Sequence, residues 1–405
     1  MTRLDPRPSC DPSHPWAAAP MPALRSKPPY LMADAIEREP ALAERLVSDA
    51  AVADGVTEIA NLLRANALSG WPTAVVGCGT SEHAAMAAES IWQDAWHGID
   101  FPGPGQLARQ AFEAALDPWP GVLVAVTHEG GTAATREAMR AAHRRGARIG
   151  LVTAAANGPA AAVTDVCVCT GDLDPSWCHT FAYVMPIVAA ALVADRIVGR
   201  TTLPAAVRAP LDAGLAAGEA AQALGRELAT SRALVVVGSG VDRTAGREMA
   251  LKIEEAAYVP TVFRDLETIL HGHIPSLDVG TGLVLLLSDR NDLEARAARA
   301  RQVLTAVEQV GVRCGAILSA SADVAVPGAL TPAGRIVVPE TDDLAGPVGS
   351  LLATAIPLQL TTYHLALALG TNPDALRREF PPYRAASQVV VAPVDEAGER
   401  VGRTG

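Results

Sequence analysis

Twice along this chain a short aliphatic run ends in a glycine-centred loop and gives way to a stretch with helical spacing. Thr73–Val76 leads into Gly77-Cys-Gly-Thr-Ser81, with a helix expected to about Asp94; Ala233–Val237 leads into Gly238-Ser-Gly240, with a helix expected from Asp242 to Tyr258. Strands covered on both faces read as continuous apolar runs, and parallel strands need helical crossovers between them. The repeated unit therefore predicts an α/β chain built as two doubly wound parallel sheets, Rossmann-like and of the flavodoxin type. At 405 residues the chain also exceeds what one ordinary core accommodates.

Further strands are expected at Val122–Val126, Arg148–Thr153 and Val166–Cys169, then at Gly282–Leu287, Arg313–Leu318 and Arg335–Val338. Leu31–Leu63 reads as helical. The Pro-rich residues 1–30 read as a disordered tail, 31–210 as a first domain with its leading helices, and 211–405 as a second domain with a C-terminal tail. A linker is expected over Thr201–Pro210 and a bridging helix over Leu211–Thr230. Phe181–Val198, interrupted by Pro186, Asp195 and Arg196, reads as a buried helix rather than a membrane span.

Composition narrows the partners. With 49% apolar residues and only 4% aromatic, the core must be aliphatic. A net charge of −11 argues against nucleic-acid and anionic-membrane partners. Residues 1–30 have no apolar secretory core, so a cytoplasmic protein is expected. The six cysteines include no CxxC pair, and Cys167 and Cys169 alternate along one strand as small structural residues. No His, Asp or Cys cluster has metal-ligand spacing, so neither a metal nor a cofactor is expected.

In doubly wound sheets ligands bind beyond the carboxyl ends of the strands, where helix N-termini present free N–H groups. Gly77-Cys-Gly79-Thr80-Ser81 and Thr127-His128-Glu129-Gly-Gly-Thr132 belong there. Small residues let backbone approach a ligand, although Ser and Thr at these places also serve as helix N-caps. Gly77-Cys-Gly79 is not a dinucleotide fingerprint, since the third glycine is missing and no acidic residue closes the next strand at Val122–Val126, and Gly238-Ser-Gly240 has the same glycine shortfall. Lys252 is one of only two lysines among 33 basic residues. It stands three residues before Glu255, which puts both on one helix face, and His271 follows sixteen residues later.

These residues, in this order, resemble the sugar isomerase (SIS) family, in particular tandem SIS proteins related to the isomerase half of glucosamine-6-phosphate synthase and to fructosamine-phosphate deglycases. Ala250-Leu-Lys-Ile-Glu-Glu-Ala-Ala-Tyr258, His271-Gly272 and Pro357-Leu-Gln-Leu-Thr-Thr-Tyr-His-Leu-Ala-Leu367 carry the likeness together with the two loops, over roughly residues 31–390. The resemblance implies two SIS domains without a glutamine-hydrolysing domain, acting on a small sugar as a homodimer or higher homo-oligomer. It implies that Glu255 shuttles a proton between C1 and C2, that His271 opens the sugar ring across a subunit boundary, and that Lys252 lies near the reacting end. Thr80, Ser81, Thr127, His128 and Thr132, with Gly79 giving close approach, match sugar-phosphate positions. His179 falls in a ligand-contacting loop, where a structural role is equally open.

The chain departs from the family twice. Glu129 stands where relatives carry a hydroxyl, and a carboxylate there repels a phosphate dianion unless a protonated His128 offsets it. Either Glu129 points away from the ligand, or the sugar is unphosphorylated or carries an amine or polyol at that end, and a changed substrate is the reading taken. The synthase relatives also end in a Schiff-base lysine, but here Pro381–Ser387 holds none, and arginine cannot substitute. Lys252 is then the only candidate for imine chemistry in the folded body, and otherwise assists as a charge. The expected function is a sugar or amino-sugar aldose–ketose isomerase or deglycase working through an enediol; a non-catalytic sugar sensor is the alternative.

Overall fold

The computed structural model describes residues 25–99 and 105–391. Most of the expected tail, 1–24, lies outside the described residues, as does the chain end from 392. Residues 25–30, assigned to that tail, instead lie against the body: Asn372 Nδ2 donates to the Arg25 carbonyl and Arg25 pairs with Asp34.

Helices α1 (Leu31–Ser48) and α2 (Ala50–Leu68) lead the chain. The single expected helix over 31–63 breaks at Asp49, whose backbone is extended and whose carboxylate accepts from Ala51 N. The first sheet follows: β1 (Thr73–Gly77), α3 (Thr80–His97), β2 (Gln106–Gln110), α4 (Ala111–Leu116), β3 (Val122–Thr127), α5 (Ala133–Arg144), β4 (Arg148–Thr153) and β5 (Val166–Cys169). Helices α6 (Phe181–Val198), α7 (Pro204–Ala216) and α8 (Gly218–Leu228) lead to the second. The linker expected over 201–210 is thus helical from Pro204, because proline at the first helical turn sacrifices no hydrogen bond. The single bridging helix is two.

The second half comprises β6 (Ala233–Val237), α9 (Asp242–Ala256), β7 (Thr261–Arg264), β8 (Thr281–Leu287), α10 (Leu293–Glu308), β9 (Arg313–Ser319), α11 (Ala320–Ala325), β10 (Gly334–Val338), α12 (Gly346–Leu369) and α13 (Pro381–Val391). Helix α9 ends two residues short of the expected Tyr258, which takes a left-handed φ of 62°.

Both sheets are five-stranded, with orders β2-β1-β3-β4-β5 and β7-β6-β8-β9-β10, and every pairing is parallel. This is one topology used twice. Each order reverses direction beside its first strand, so the crevices open at the ends of β1/β3 and of β6/β8. Strands β1, β3 and β8 are buried throughout, as their apolar runs require.

The largest core takes residues from both halves, including Trp92, Tyr183, Met249, Ile253 and Ile356. Helices α6 and α12 are long and apolar enough to cross a bilayer, yet 83% and 78% of their apolar windows are buried inside the fold. For the site, the decisive contact is α9 of the second half packing on α3 of the first, with α12 behind it.

Candidate active site

The β1 loop turns sharply into α3. Gly79 takes φ 58° and ψ −129°, a region costly for any residue with a side chain. A Cβ on Gly77 would come within 2.2 Å of the Ser81 carbonyl oxygen. The hydroxyl residues do not act as helix caps. Thr80, buried, donates to Glu248 Oε1 at 3.3 Å, and Thr132 ahead of α5 makes no side-chain cap bond. Ser81 and Glu129 are half-buried and Thr127 is buried beside them at the switch point.

His128 does something the sequence did not suggest. Its Nε2 accepts from the backbone N–H of Asp174 at 2.8 Å, and its ring lies 4.6 Å from that of His179. That bond uses the lone pair of Nε2. It ties the β3 loop to the β5 loop. Asp174, fully buried, organises the latter by accepting from Thr180 N at 2.6 Å and Ser176 N at 3.4 Å. Burial raises its carboxyl to about 6, against the pull of those bonds and of Lys252.

Lys252 is the centre of the arrangement. Its side chain is fully buried and pairs with Glu255 Oε2, while Glu248 Oε1, one turn earlier on α9, lies 3.7 Å from Nζ. Glu248 Oε2 also meets His83 Nδ1 at 2.7 Å, so α3 contributes both Thr80 and His83. Burial alone would strip the Lys252 ammonium of its proton, but Glu255, the Cys178 thiol and Glu248 override it and hold the pKa above the usual lysine range. In this structure Nζ is enclosed between Glu255 and Glu248 and its side chain has no exposed surface.

Glu255 is poised differently. Its side chain is 23% exposed and burial raises its pKa, partly countered by Lys252. A thiol donor, Cys178 Sγ, stands 3.7 Å from Oε2. The exposed part opens on a groove of about 420 Å³ lined also by Tyr258, Leu376, Arg377 and Tyr383. The result is a carboxylate with raised proton affinity, backed by a buried cation and open on one side.

No protein-family model matches the chain. In sequence it is similar to the glutamine–fructose-6-phosphate aminotransferase (isomerizing) of Thermococcus kodakarensis, 24% identical over 317 residues, or 75% of this chain and 50% of that protein. It spans about half the length of the curated relatives it matches. In fold it is similar to the C-terminal domain of glucosamine-fructose-6-phosphate aminotransferase from Francisella tularensis, with a TM-score of 0.72 and 18% identity over 85% of this chain and 98% of that one. The tagatose-6-phosphate ketose/aldose isomerase of Escherichia coli gives 0.68 and 15% over 85% and 95%. The chain resembles the SIS family in both sequence and fold.

One predicted member of the SIS site is not brought to it. His271 follows β7 on the surface, 72% exposed, where Nε2 meets Glu267 at 2.7 Å and Glu267 in turn meets Arg299. Within one chain it forms no part of the Glu255 cluster. Four residues that are part of it, His83, Asp174, Cys178 and Glu248, went unrecognised. Only Glu248 had a local signal, at i−4 from Lys252; the rest arrive by tertiary packing. Cys167 and Cys169 are unpaired and half-buried.

Proposed function

We propose that this chain is an enzyme that moves a proton between adjacent carbons of a sugar or amino-sugar derivative, as an aldose–ketose isomerase or deglycase. The observation that carries the reading is Glu255: a half-buried carboxylate of raised proton affinity, open to a groove and braced by a buried ammonium. Its pKa moves toward the range where one group can both take and return a proton. Glu255 takes the proton from the carbon next to the carbonyl. The C–H electron pair becomes the carbon–carbon double bond as the carbonyl π pair moves onto oxygen, that oxygen takes the proton of the adjacent hydroxyl, whose lone pair re-forms the carbonyl, and the same carboxyl returns its proton to the former carbonyl carbon. Thr127, Thr132, Ser81 and the loop N–H groups hold the far end of the sugar. Glu129 in that loop favours a sugar without a phosphate there. His271 would complete the site from a second copy of the chain.

The test is solvent exchange. Hexoses, hexosamines and their 6-phosphates are incubated with the protein in deuterated water, and incorporation at C2 is followed by NMR. Glu255→Gln should abolish exchange while the chain stays folded at the assay temperature by circular dichroism, with a lowered melting temperature because buried Lys252 loses a carboxylate partner. No exchange with any sugar, while one of them raises the melting temperature, would establish a sensor instead.

A further inference from the structure

We propose that the groove over Glu255 contains an anion-binding position formed by Arg377, so that the site takes a sugar derivative bearing a carboxylate near its reacting carbons. This rests on the reading of Glu255 as the base.

The first observation is a strained turn. Leu376 and Arg377 are consecutive non-glycine residues with φ of 47° and 58°. Left-handed backbone costs each about 1–2 kcal/mol, so surrounding bonds must impose it. Tyr258, itself left-handed, does so: its hydroxyl donates to the Asn372 carbonyl at 2.9 Å and accepts from Arg377 N at 3.1 Å.

The second is where the turn sends its cation. The Arg377 guanidinium sits 4.1 Å from the Tyr258 ring centre and 5.1 Å from that of Tyr383, and Nη1 donates to the Tyr383 hydroxyl at 2.7 Å. Among the described residues no carboxylate pairs with it. Two aromatic faces and a hydroxyl orient the group without neutralising it, leaving four of its five N–H donors for a planar oxyanion.

The third is what shares the space. Arg377, Tyr258, Tyr383 and Glu255 line one groove. The next residue, Arg378, lies 4.3 Å from the Trp177 ring centre, beside the Cys178 that touches Glu255, and Glu255 supports its charge against burial. Two guanidinium groups, Arg377 and Arg378, therefore stand at the end of the groove that also carries Glu254 and Glu255. Such a site orients a substrate whose negative group lies next to the reacting carbons. A carboxylate fits the guanidinium fork in a two-point contact that lysine does not reproduce.

The experiment compares gluconate with glucitol, which share six carbons and differ by one carboxylate, using titration calorimetry on the full chain. Gluconate should bind about tenfold more tightly, the scale of a charge-assisted bidentate contact. Arg377→Gln should bring the ratio near one, and Arg377→Lys should keep part of it. Tyr383→Phe, which removes only the orienting hydroxyl, should lower it by a smaller factor and serves if Arg377→Gln does not fold. Equal binding by the native chain, binding of neither, or a ratio that survives both substitutions overturns the proposal. Deuterium exchange reports on Glu255 separately. A gluconate preference without exchange in any sugar removes the enzyme and keeps the anion position. Exchange without the preference does the reverse.

Discussion

Glu39, on the buried face of α1, sets a problem that the protein tolerates. It is fully buried, and neither carboxylate oxygen meets a donor with hydrogen-bond geometry among the described residues. Burial pushes its pKa well above the usual carboxylate range; the neighbouring Gln359 amide eases this without satisfying it, and Asp174 and Glu248 add to it. The folded state thus keeps a proton that the unfolded chain releases near pH 4.5. Stability contributed by neutral Glu39 is complete below that pH and falls as pH rises toward the folded value. Glu39→Gln removes the titration and supplies a neutral amide of the same shape. In urea unfolding at about pH 5 and about pH 8, the variant should gain on the native chain by roughly 1–3 kcal/mol at the higher pH, the cost of a buried group without a partner. An equal difference at both pH values would show that Glu39 is not titrating. Asp174, raised to about 6, titrates in both proteins, so only its coupling to Glu39 enters the difference. Legibility at this scale follows the same division. Lys252 and Glu255 were visible because a helix fixes the relation of i and i+3. The protonation of Lys252 was not visible, because it depends on Glu248 and on Cys178 from another loop.

Between elements, close helix crossings depend on the absence of side chains. Helix α8 crosses α12 at Gly225, where a Cβ would come within 2.8 Å of the Leu365 nitrogen and the Thr361 carbonyl oxygen. Both are helix backbone and cannot move aside singly. Gly225→Ala should therefore destabilise by about 1–3 kcal/mol despite alanine's better helix propensity, as overpacked cores do. Gly218→Ala, at the start of the same helix with nothing within 4 Å, should be neutral or mildly stabilising in the same thermal melts. Loss of stability in both would place the cause outside the crossing. The crossing could not be foreseen, because a glycine in a helical run looks alike whether it is packed or exposed. Strands were legible for a related reason. Central ones are covered on both faces and spell continuous apolar runs. The edge strands Gln106–Gln110 and Thr261–Arg264 carry charged and half-exposed residues, and were missed.

At the scale of the molecule, one topology serves two purposes. The first crevice keeps open loops at β1 and β3, whereas the second is filled by its own carboxylates. Asp242 accepts from Ser288 N at 2.8 Å and Asp289 N at 3.0 Å, and Asp289 accepts from Val241 N at 3.1 Å. Those backbone donors are where an anionic ligand would bind. The second half instead gives up its helix α9 to the first site. It also places His271 on the surface, 72% exposed, away from the Glu255 cluster of its own chain. We propose that a site assembled from two copies accounts for the exposed His271. In a closed two-fold dimer each active site would take Glu255 from one chain and His271 from the other. Glu255→Gln and His271→Ala homodimers should then each be inactive in the exchange assay. Mixed in equal amounts under conditions that let subunits exchange, they should regain about a quarter of native activity, because random pairing makes half the dimers hybrid and each hybrid has one intact site. If His271 acts within its own chain, every hybrid site keeps one lesion and no activity returns.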